Sequence, residues 1–389
     1  MNAETADVGP AADAPRHRRR WPYVLLAFAI LVTGGVFWAY RSLSGNINTI
    51  DPSAGLGDVR PAKENESMNL LLIGSDSREG ENASIGGESP GLADTTIVLH
   101  LSADNAWATG VSIPRDSMVQ MPDCIAADGT VHAGGFRQFN SAYTIGGPVC
   151  VQKTIEATTG LHIDHFAVVD FTGFKQMVDA LGGVNVNVES AINDTHSKIY
   201  FEPGCQLLDG QQALDYVRVR KGVTGGEGSD LGRIKRQQQF LSAVVQEVTS
   251  RGTLLNPVAL YSFLDAATSA VTTDTALGSV QDLASIAVRV RNIGLNNITF
   301  ATIPVTDWPQ DPNRLIWAEP AAGQVWDALR TDQPLRAVQG TDSASPSTDS
   351  SDSSDSSDSA ASTPSSSASA GSSPTPTVPL RGADEPICQ

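Results

Sequence analysis

Two carboxylates and a scattered set of arginines carry most of the chemistry this chain could do. In "NLLLIGSDSR" (Asn69 to Arg78) an apolar, strand-like run opens into a small-residue loop that presents Asp76 and Arg78 together, and Asp94 follows in "ADTTIVLHL". Arg115 in "SIPRDS", Arg218 and Arg220 in "YVRVR", and Arg233 and Arg236 in "GRIKRQ", with Gln237 beside them, complete the set. Planar guanidinium forks bind phosphate oxygens bidentately. Magnesium, with manganese as an alternative, takes oxygen ligands, tolerates few protein carboxylates and is completed by substrate phosphates and water. Together these groups fit phosphoryl transfer, in which metal and guanidinium offset charge on the reacting phosphorus. For any one arginine a surface ion pair is the competing account, and for each aspartate a turn or a strand cap. The grouping of "RVR" and "GRIKRQ" weighs against it.

Other schemes lack their residues. There is no GxSxG elbow, no HExxH and no Walker GxxxxGK[ST], which removes esterase, zinc protease and P-loop ATPase readings. The six histidines are scattered, and His132 and His165 read first as loop or core residues.

The elements that must position the charged groups alternate between strand-like and helix-like patterns, which argues for a layered α/β fold. "NLLLIG", "TTIVLHLS" and "WATGVSI" read as three strands, the last two joined by the polar turn "SADNA". In an antiparallel meander the end of the first, the start of the second and the end of the third share one sheet edge, so Asp76 with Arg78, Asp94, and Arg115 with Asp116 converge. Next come a helix in "VCVQKTIEATTG" ended by Gly160, a buried strand "HFAVVDF", a helix in "FTGFKQMVDALGG" and an alternating strand "VNVNV". In "LDGQQALDYVRVRKG" a short helix precedes an extended segment, on which Arg218 and Arg220 point to one face. "GSDLGRIKRQQQFLSAVVQEVTSRG" is a long helix capped by Ser229 or Asp230, with Ile234, Leu241, Val244, Val245 and Val248 as its apolar stripe. Arginines in its first turns oppose the helix dipole, yet they suit a bound anion. The rest reads as helices, one more strand ("ITFATIP") and a last helix ("AAGQVWDALR").

Composition sets the frame. The N-terminus runs "RHRRRWPYVLLAFAILVTGGVFWAYRS", a basic cluster followed by about twenty apolar residues, the length that spans a bilayer. Trp21, Tyr23, Trp38 and Tyr40 flank the run and the arginines precede it, so the N-terminus belongs inside and the remainder outside. The run is long for a cleaved signal peptide, the competing reading. Outside the cytoplasm the four cysteines meet an oxidising environment. Cys124, Cys150, Cys205 and Cys388 include no CxxC, so zinc is disfavoured, and they allow three pairings. Cys124 with Cys150 is the preferred one, because the two flank a loop-rich segment whereas Cys388 lies beyond a flexible tail. A net charge of −17 argues against nucleic acid as partner. The stretch "SASPSTDSSDSSDSSDSAASTPSSSASAGSSPTPT" has almost nothing to bury and is expected to be disordered. The expected organisation is a cytoplasmic basic N-terminus over 1–20, a transmembrane anchor over 21–40, a linker over 41–65, a folded region over 66–335 and a disordered tail over 336–389.

The blocks "NLLLIGSDSR", "ADTTIVLHL", "VSIPRDSMV", "FNSAYTIGG", "IDHFAVVDFTGFKQMVDALGGV", "LDGQQALDYVRVR" and "SDLGRIKRQQQFL", in that order, closely resemble the LytR-CpsA-Psr family of cell-wall enzymes. The resemblance is strong from Asn69 to Thr249 and weaker, but compatible with actinobacterial members, to Leu335. It implies a three-layer α/β/α fold with a mixed central sheet and a hydrophobic pocket for a prenyl chain. It also implies a single-pass membrane protein with an extracytoplasmic transferase domain. Members move a glycopolymer of teichoic acid or arabinogalactan type from a polyprenyl pyrophosphate carrier to the muramic acid 6-hydroxyl of peptidoglycan, forming a phosphodiester. By motif position Asp76 and Asp94 match the magnesium carboxylates, one of which also serves as base. Arg115, Arg218, Arg220, Arg233 and Arg236 match the pyrophosphate clamp, with Gln237 beside it, and Arg78 adjoins it. Leu92 and Gln138 stand where many members carry Arg and Lys, with Arg137 or Arg78 as substitutes. Two other readings use the same residues: a pyrophosphatase on polyprenyl pyrophosphates, and a non-catalytic module that binds prenyl-linked glycopolymers.

Overall fold

Short apolar, strand-forming runs build the centre of the protein, seen in a computed structural model that describes residues 21–76, 91–220, 222–224, 230–249, 256–337, 377–385 and 387–388. Eight strands form one mixed sheet: β1 (Asn48–Ile50), β2 (Met68–Ser75), β3 (Ala93–Leu101), β4 (Ala108–Ser112), β5 (His165–Asp170), β6 (Val271–Asp274), β7 (Ile298–Thr302) and β8 (Leu380–Gly382). Their spatial order is β1-β6-β5-β2-β3-β4-β7-β8. The expected meander is present, with β2 antiparallel to β3 and β3 antiparallel to β4. β5 runs parallel to β2, so Ser75 and Asp170 pair at the same edge.

Alternation along β2 sends side chains to both faces. Leu71 and Ile73 pack with Val98, Val111 and Ile155 of α2 (Ser141–Thr159) on one side. Leu70 and Leu72 pack with Phe300 and with Ile286 of α7 on the other, α7 spanning Val280–Ile293. The other helices of nine or more residues among the described residues are α1 (Trp21–Asn46), α3 (Phe171–Ala180), α4 (Gly210–Arg218), α5 (Asp230–Thr249), α6 (Pro257–Ala270) and α8 (Ala321–Arg330). Helices on both faces of a mixed sheet make the expected three-layer α/β/α architecture. α2 ends where Gly160 adopts a left-handed conformation (φ 68°), its N–H bonded to Glu156 O, as glycine uniquely permits without strain.

Several expectations shift. α1 continues six residues past Tyr40 to Asn46 and leads directly into β1, and Arg60 pairs with Glu156, so residues 41–65 belong to the fold rather than to a linker. At the other end, residues 338–376 lie outside the described residues. Beyond them the chain returns: Thr377–Val378 pairs with Arg336–Ala337, and β8 adds to the sheet against β7. Cys124–Cys150 forms as expected, with Cα atoms 5.5 Å apart. Cys388 is also paired, to Cys205 at 5.5 Å, which pins the chain end that composition places in a loose tail. Residues 336–337, 377–385 and 387–388, on either side of the polar stretch, thus belong to one domain. A hairpin of Val305–Trp308 with Asp311–Trp317 also lies where no strand is expected. The Tyr23–Asn46 part of α1 is long and apolar enough to cross a bilayer.

α5 departs from its predicted stripe. Its buried residues are Arg233, Ile234, Gln238, Gln239, Phe240, Ser242 and Ala243, while Val245 and Val248 stay half-exposed. The glutamines have partners: Gln238 Nε2 donates to Ser112 Oγ (2.9 Å) and Ala301 O (3.0 Å), and Gln239 Nε2 to Asn187 O (2.8 Å). Hydrogen-bonded polar groups can lie on a core face at little net cost, which hydrophobic periodicity does not register.

Candidate functional site

The site forms where β2, β4 and β5 end and β3 begins. A bulge between Gly74 and Ser75 closes the β2–β3 ladder, so that Ser75 faces Ala93 and Asp94 stands next along β3. Asp76 continues the edge: its N–H donates to Leu92 O (3.2 Å) and its carboxylate accepts the Leu92 N–H. The two candidate metal carboxylates therefore flank the same strand mouth.

Three guanidinium groups converge on Asp94. Arg115, three residues past the end of β4, pairs directly with Asp94 Oδ1. Arg220 Nη2 lies 3.9 Å and Arg233 Nη1 4.0 Å from the same oxygen, and Arg233 Nη2 donates to the Asp94 backbone carbonyl at 3.1 Å. Around them stand further carboxylates. Arg115 Nε is 3.6 Å from Asp116 Oδ2 and 3.8 Å from Asp230 Oδ1. Arg233 Nη2 comes within 2.6 Å of Asp230 Oδ1, in an orientation that falls short of a hydrogen bond.

The arrangement is electrostatically tense. The Arg233 side chain is only 2% exposed, and burial, opposed by Asp230 and reinforced by Arg220, brings its pKa down to about 10. Burial pushes the Asp230 carboxyl up, against the pull of Arg233. Burial alone lowers Arg115, but Asp94, Asp116 and Asp230 together outweigh it and raise its pKa. Arg115 Nε, Arg233 Nε and both Asp230 oxygens are buried without a hydrogen-bond partner among the described residues. Buried donors left open beside a guanidinium cluster are an anion-binding arrangement, since each unmade bond costs about 1–3 kcal/mol unless a ligand supplies it.

The predicted clamp residues do not all reach this point. α4 extends through Arg218, and the chain turns extended only at Val219 (φ −58°, ψ 137°), so Arg218 and Arg220 do not share a face of one extended segment. Arg218 lies over the Phe171 ring, 4.3 Å from its centroid, while Arg220 goes to Asp94. Arg236 and Gln237 act on the segment between: Arg236 donates to Val219 O and Gln237 to Val217 O (3.3 Å), which fixes the strap that carries Arg220. Arg236 Nε is buried without a partner among the described residues, burial depresses its pKa, and it lines a cavity of about 340 Å³ with Tyr216, Lys235 and Gln239. Arg78 and Ser229 lie outside the described residues.

Of the two family departures, Leu92 contributes its backbone to Asp76, and Gln138 donates its amide to Asp116. Arg137 is no substitute here, for it turns outward to Ala133 O at 3.1 Å. Arg314, which sequence reading passed over, approaches Asp116 Oδ1 at 3.9 Å from the unexpected hairpin. Its local signal is "NRLIW", a short run ending in three strand-forming apolar residues.

Among the described residues no group of three or more His, Cys, Asp or Glu side chains could hold a metal ion. A pair of aspartates is a hard-oxygen donor set of the small size that magnesium accepts when substrate phosphates and water complete its shell. Asp76 and Asp94 fit that description.

The LytR_cpsA_psr family model matches residues 41–331. The chain is 33% identical over 316 residues to the probable cell wall biosynthesis protein LcpB of Corynebacterium glutamicum, covering 79% of this chain and 70% of that one. It is 31% identical over 306 residues to the polyisoprenyl-teichoic acid–peptidoglycan teichoic acid transferase TagU of Oceanobacillus iheyensis, covering 74% and 86%. Among solved structures, Bacillus subtilis TagV aligns with a TM-score of 0.52 at 26% identity, over 69% of this chain and 98% of that one. The LytR-Csp2A-Psr enzyme from Actinomyces oris shares the fold, with a TM-score of 0.55 at 17% identity over 73% and 96%.

Proposed function

The chain belongs to the LytR-CpsA-Psr family, and on that premise we propose that it transfers a cell-wall glycopolymer from a polyprenyl pyrophosphate carrier to the muramic acid 6-hydroxyl of peptidoglycan. The observation that carries this reading is the convergence of Arg115, Arg220 and Arg233 on Asp94 with buried guanidinium donors left open. Such donors suit a diphosphate, whose oxygens gain charge as the bond between the phosphates breaks.

In the proposed reaction the acceptor hydroxyl attacks the phosphorus that bears the glycan. A new P–O bond forms, the phosphoanhydride bond breaks, and polyprenyl phosphate leaves with the bonding electrons. The hydroxyl proton passes to the Asp76–Asp94 carboxylate pair. Arg115 and Arg233 hold the phosphate oxygens, Arg220 closes over them, and Arg236 and Gln237 keep the Arg220 strap in place. Asp76 and Asp94 are the residues to hold magnesium, or manganese in its stead, which supplies Lewis-acid stabilisation of phosphoryl charge when bound. Arg218, stacked on Phe171, serves as a wall of the clamp rather than its centre. α1 anchors the protein with the N-terminus in the cytoplasm and the domain outside, a compartment that suits its disulfides.

The test is transfer of phosphorus-labelled glycan from a polyprenyl pyrophosphate donor to peptidoglycan fragments with magnesium, comparing wild type with Arg115→Ala. Label on the acceptor, lost in the variant, supports the transferase. Free phosphorylated glycan despite excess acceptor would replace it with the pyrophosphatase, and bound donor without any product with the binding module.

A further inference from the structure

The route by which α1 enters the sheet says which way the catalytic edge faces. β6 runs antiparallel to β5, with Val271 opposite Val169, and β1 runs parallel to β6, with Asn48 opposite Thr272. Because Asp170 pairs with Ser75 at the site, the starts of β1 and β6 lie at that same edge. α1 therefore joins the sheet at the edge that carries Asp94 and its arginines, one residue before β1. α6 joins there too, running into β6 without a loop, and α3 leaves there directly from β5. α3 and α6 touch closely, for a Cβ on Gly173 would collide with Ala270 Cβ.

α1 and α6 lie alongside each other with the same direction. Trp38 stacks on Tyr261 with centroids 6.2 Å apart, and further along both helices Asn46 Nδ2 donates to Asp265 Oδ1 (2.9 Å) and to Thr268 Oγ1 (3.3 Å). Trp38 is, with Tyr40, one of two aromatic residues near the outer end of the apolar run, the position where such rings settle at the membrane interface. Tracing α6 backward from Tyr261 leads toward the bilayer, and Val258, three residues and about 4.5 Å earlier along the axis, is 73% exposed at the start of the helix.

We infer that the first turn of α6 is a second membrane contact: Pro257 and Val258 seat in the interface of the lipid bilayer beside α1, and hold the catalytic edge facing the membrane. This rests on the reading of α1 as a membrane anchor. The occupant is the bilayer because the anchor places it there, and an apolar side chain level with or below the aromatic belt gains by leaving water. A prenyl-linked donor then meets the arginine cluster without the domain having to turn over.

The experiment uses the full-length protein in lipid vesicles with one environment-sensitive fluorophore per molecule, placed at Leu31→Cys, Val258→Cys or Ala106→Cys. Native cysteines are engaged in disulfides, and Ala106 is exposed in the turn at the opposite sheet edge. Nitroxide lipids labelled near the headgroup are expected to quench Val258 strongly, to leave Ala106 unquenched, and to produce a blue shift at Val258 on vesicle addition. Deep nitroxides quench Leu31 in every case if the anchor spans. Quenching at Leu31 with Val258 no different from Ala106 overturns the inference and leaves the anchor standing. Loss of quenching at Leu31 overturns the anchor and with it the inference.

Discussion

Arg60 with Glu156, and Arg115 with Arg233 around Asp94, are two enclosed arginine–carboxylate groups with different bookkeeping. Arg60 Nε donates to Glu156 Oε2 (3.0 Å) and its Nη2 to Ile163 O (2.6 Å), while Glu156 Oε1 accepts the Ile163 N–H (3.0 Å). Both oxygens of that carboxylate are used on the protein itself. At the sheet edge the pairing is incomplete: Arg115 Nε and Arg233 Nε stay open, and Asp230 sits beside them unbonded. The first group is saturated by the protein itself, whereas the second leaves several donors and acceptors open side by side; a single open donor, such as Arg289 Nε, does not make that arrangement. Burial differs as well, for the Arg60 side chain is 28% exposed and that of Arg233 only 2%.

The comparison can be broken at several points. The largest effect is expected from Glu156→Ala, which leaves Arg60 and the Ile163 N–H without their partner and should cost about 3–5 kcal/mol of stability, read by denaturant unfolding, with the specific activity of the remaining folded protein near normal. Arg115→Ala should do the reverse: transfer falls by about 10²–10³-fold while the unfolding midpoint moves little. If Arg115→Ala unfolds the protein, or Glu156→Ala silences folded molecules, the distinction fails.

Smaller effects sharpen it. Arg218→Ala removes a cation–π contact with Phe171 worth about 0.5–1 kcal/mol at a partly exposed site, and its loss of transfer should be less than that of Arg220→Ala, which removes a guanidinium aimed at Asp94. Equal losses in parallel kinetics would put Arg218 in the clamp. The subtlest test concerns pH. Burial raises the Asp230 carboxyl above its unfolded value, so the native state binds its proton more readily than the unfolded chain does. That contribution is complete below the unfolded pKa of about 3.9 and is lost as pH rises through the higher native value. Stability curves of wild type and Asp230→Asn should therefore differ in slope over that interval, with wild type losing more on going up, and run parallel above it. Identical slopes would mean that Asp230 is not strained.

Much of the site was legible because its first half is local. The short, continuous apolar runs "NLLLIG" and "TTIVLHL" and the turn "SADNA" specify the meander, and the meander alone brings Asp76, Asp94 and Arg115 to one edge. Tyr216 to Arg218 misled because the alternation of "VRVR" masks the helical spacing of Ala213, Leu214 and Val217, the buried face of a helix that the capping box of Asp209 with Gln212 starts and that runs to Arg218. The face of α5 misled because its buried glutamines hydrogen-bond to the sheet rather than to water. β8 and Cys388 gave no signal that could be read in place: three residues of strand after a long Ser/Asp-rich stretch have no pattern of their own, and they pair only because β7 offers an open edge.

Amino-acid order by itself determined the family, the apolar anchor run, the central meander and the chemical kind of the site, since these depend on composition and on contacts within a few turns or one hairpin. Tertiary structure decided which arginines reach Asp94, that Arg236 and Gln237 hold a strap instead, that Arg314 joins from a distant hairpin, and that the apolar helix α1 enters at the edge that carries Asp94. Those outcomes come from strand pairings and helix contacts between residues far apart in the chain, whose geometry no local pattern encodes.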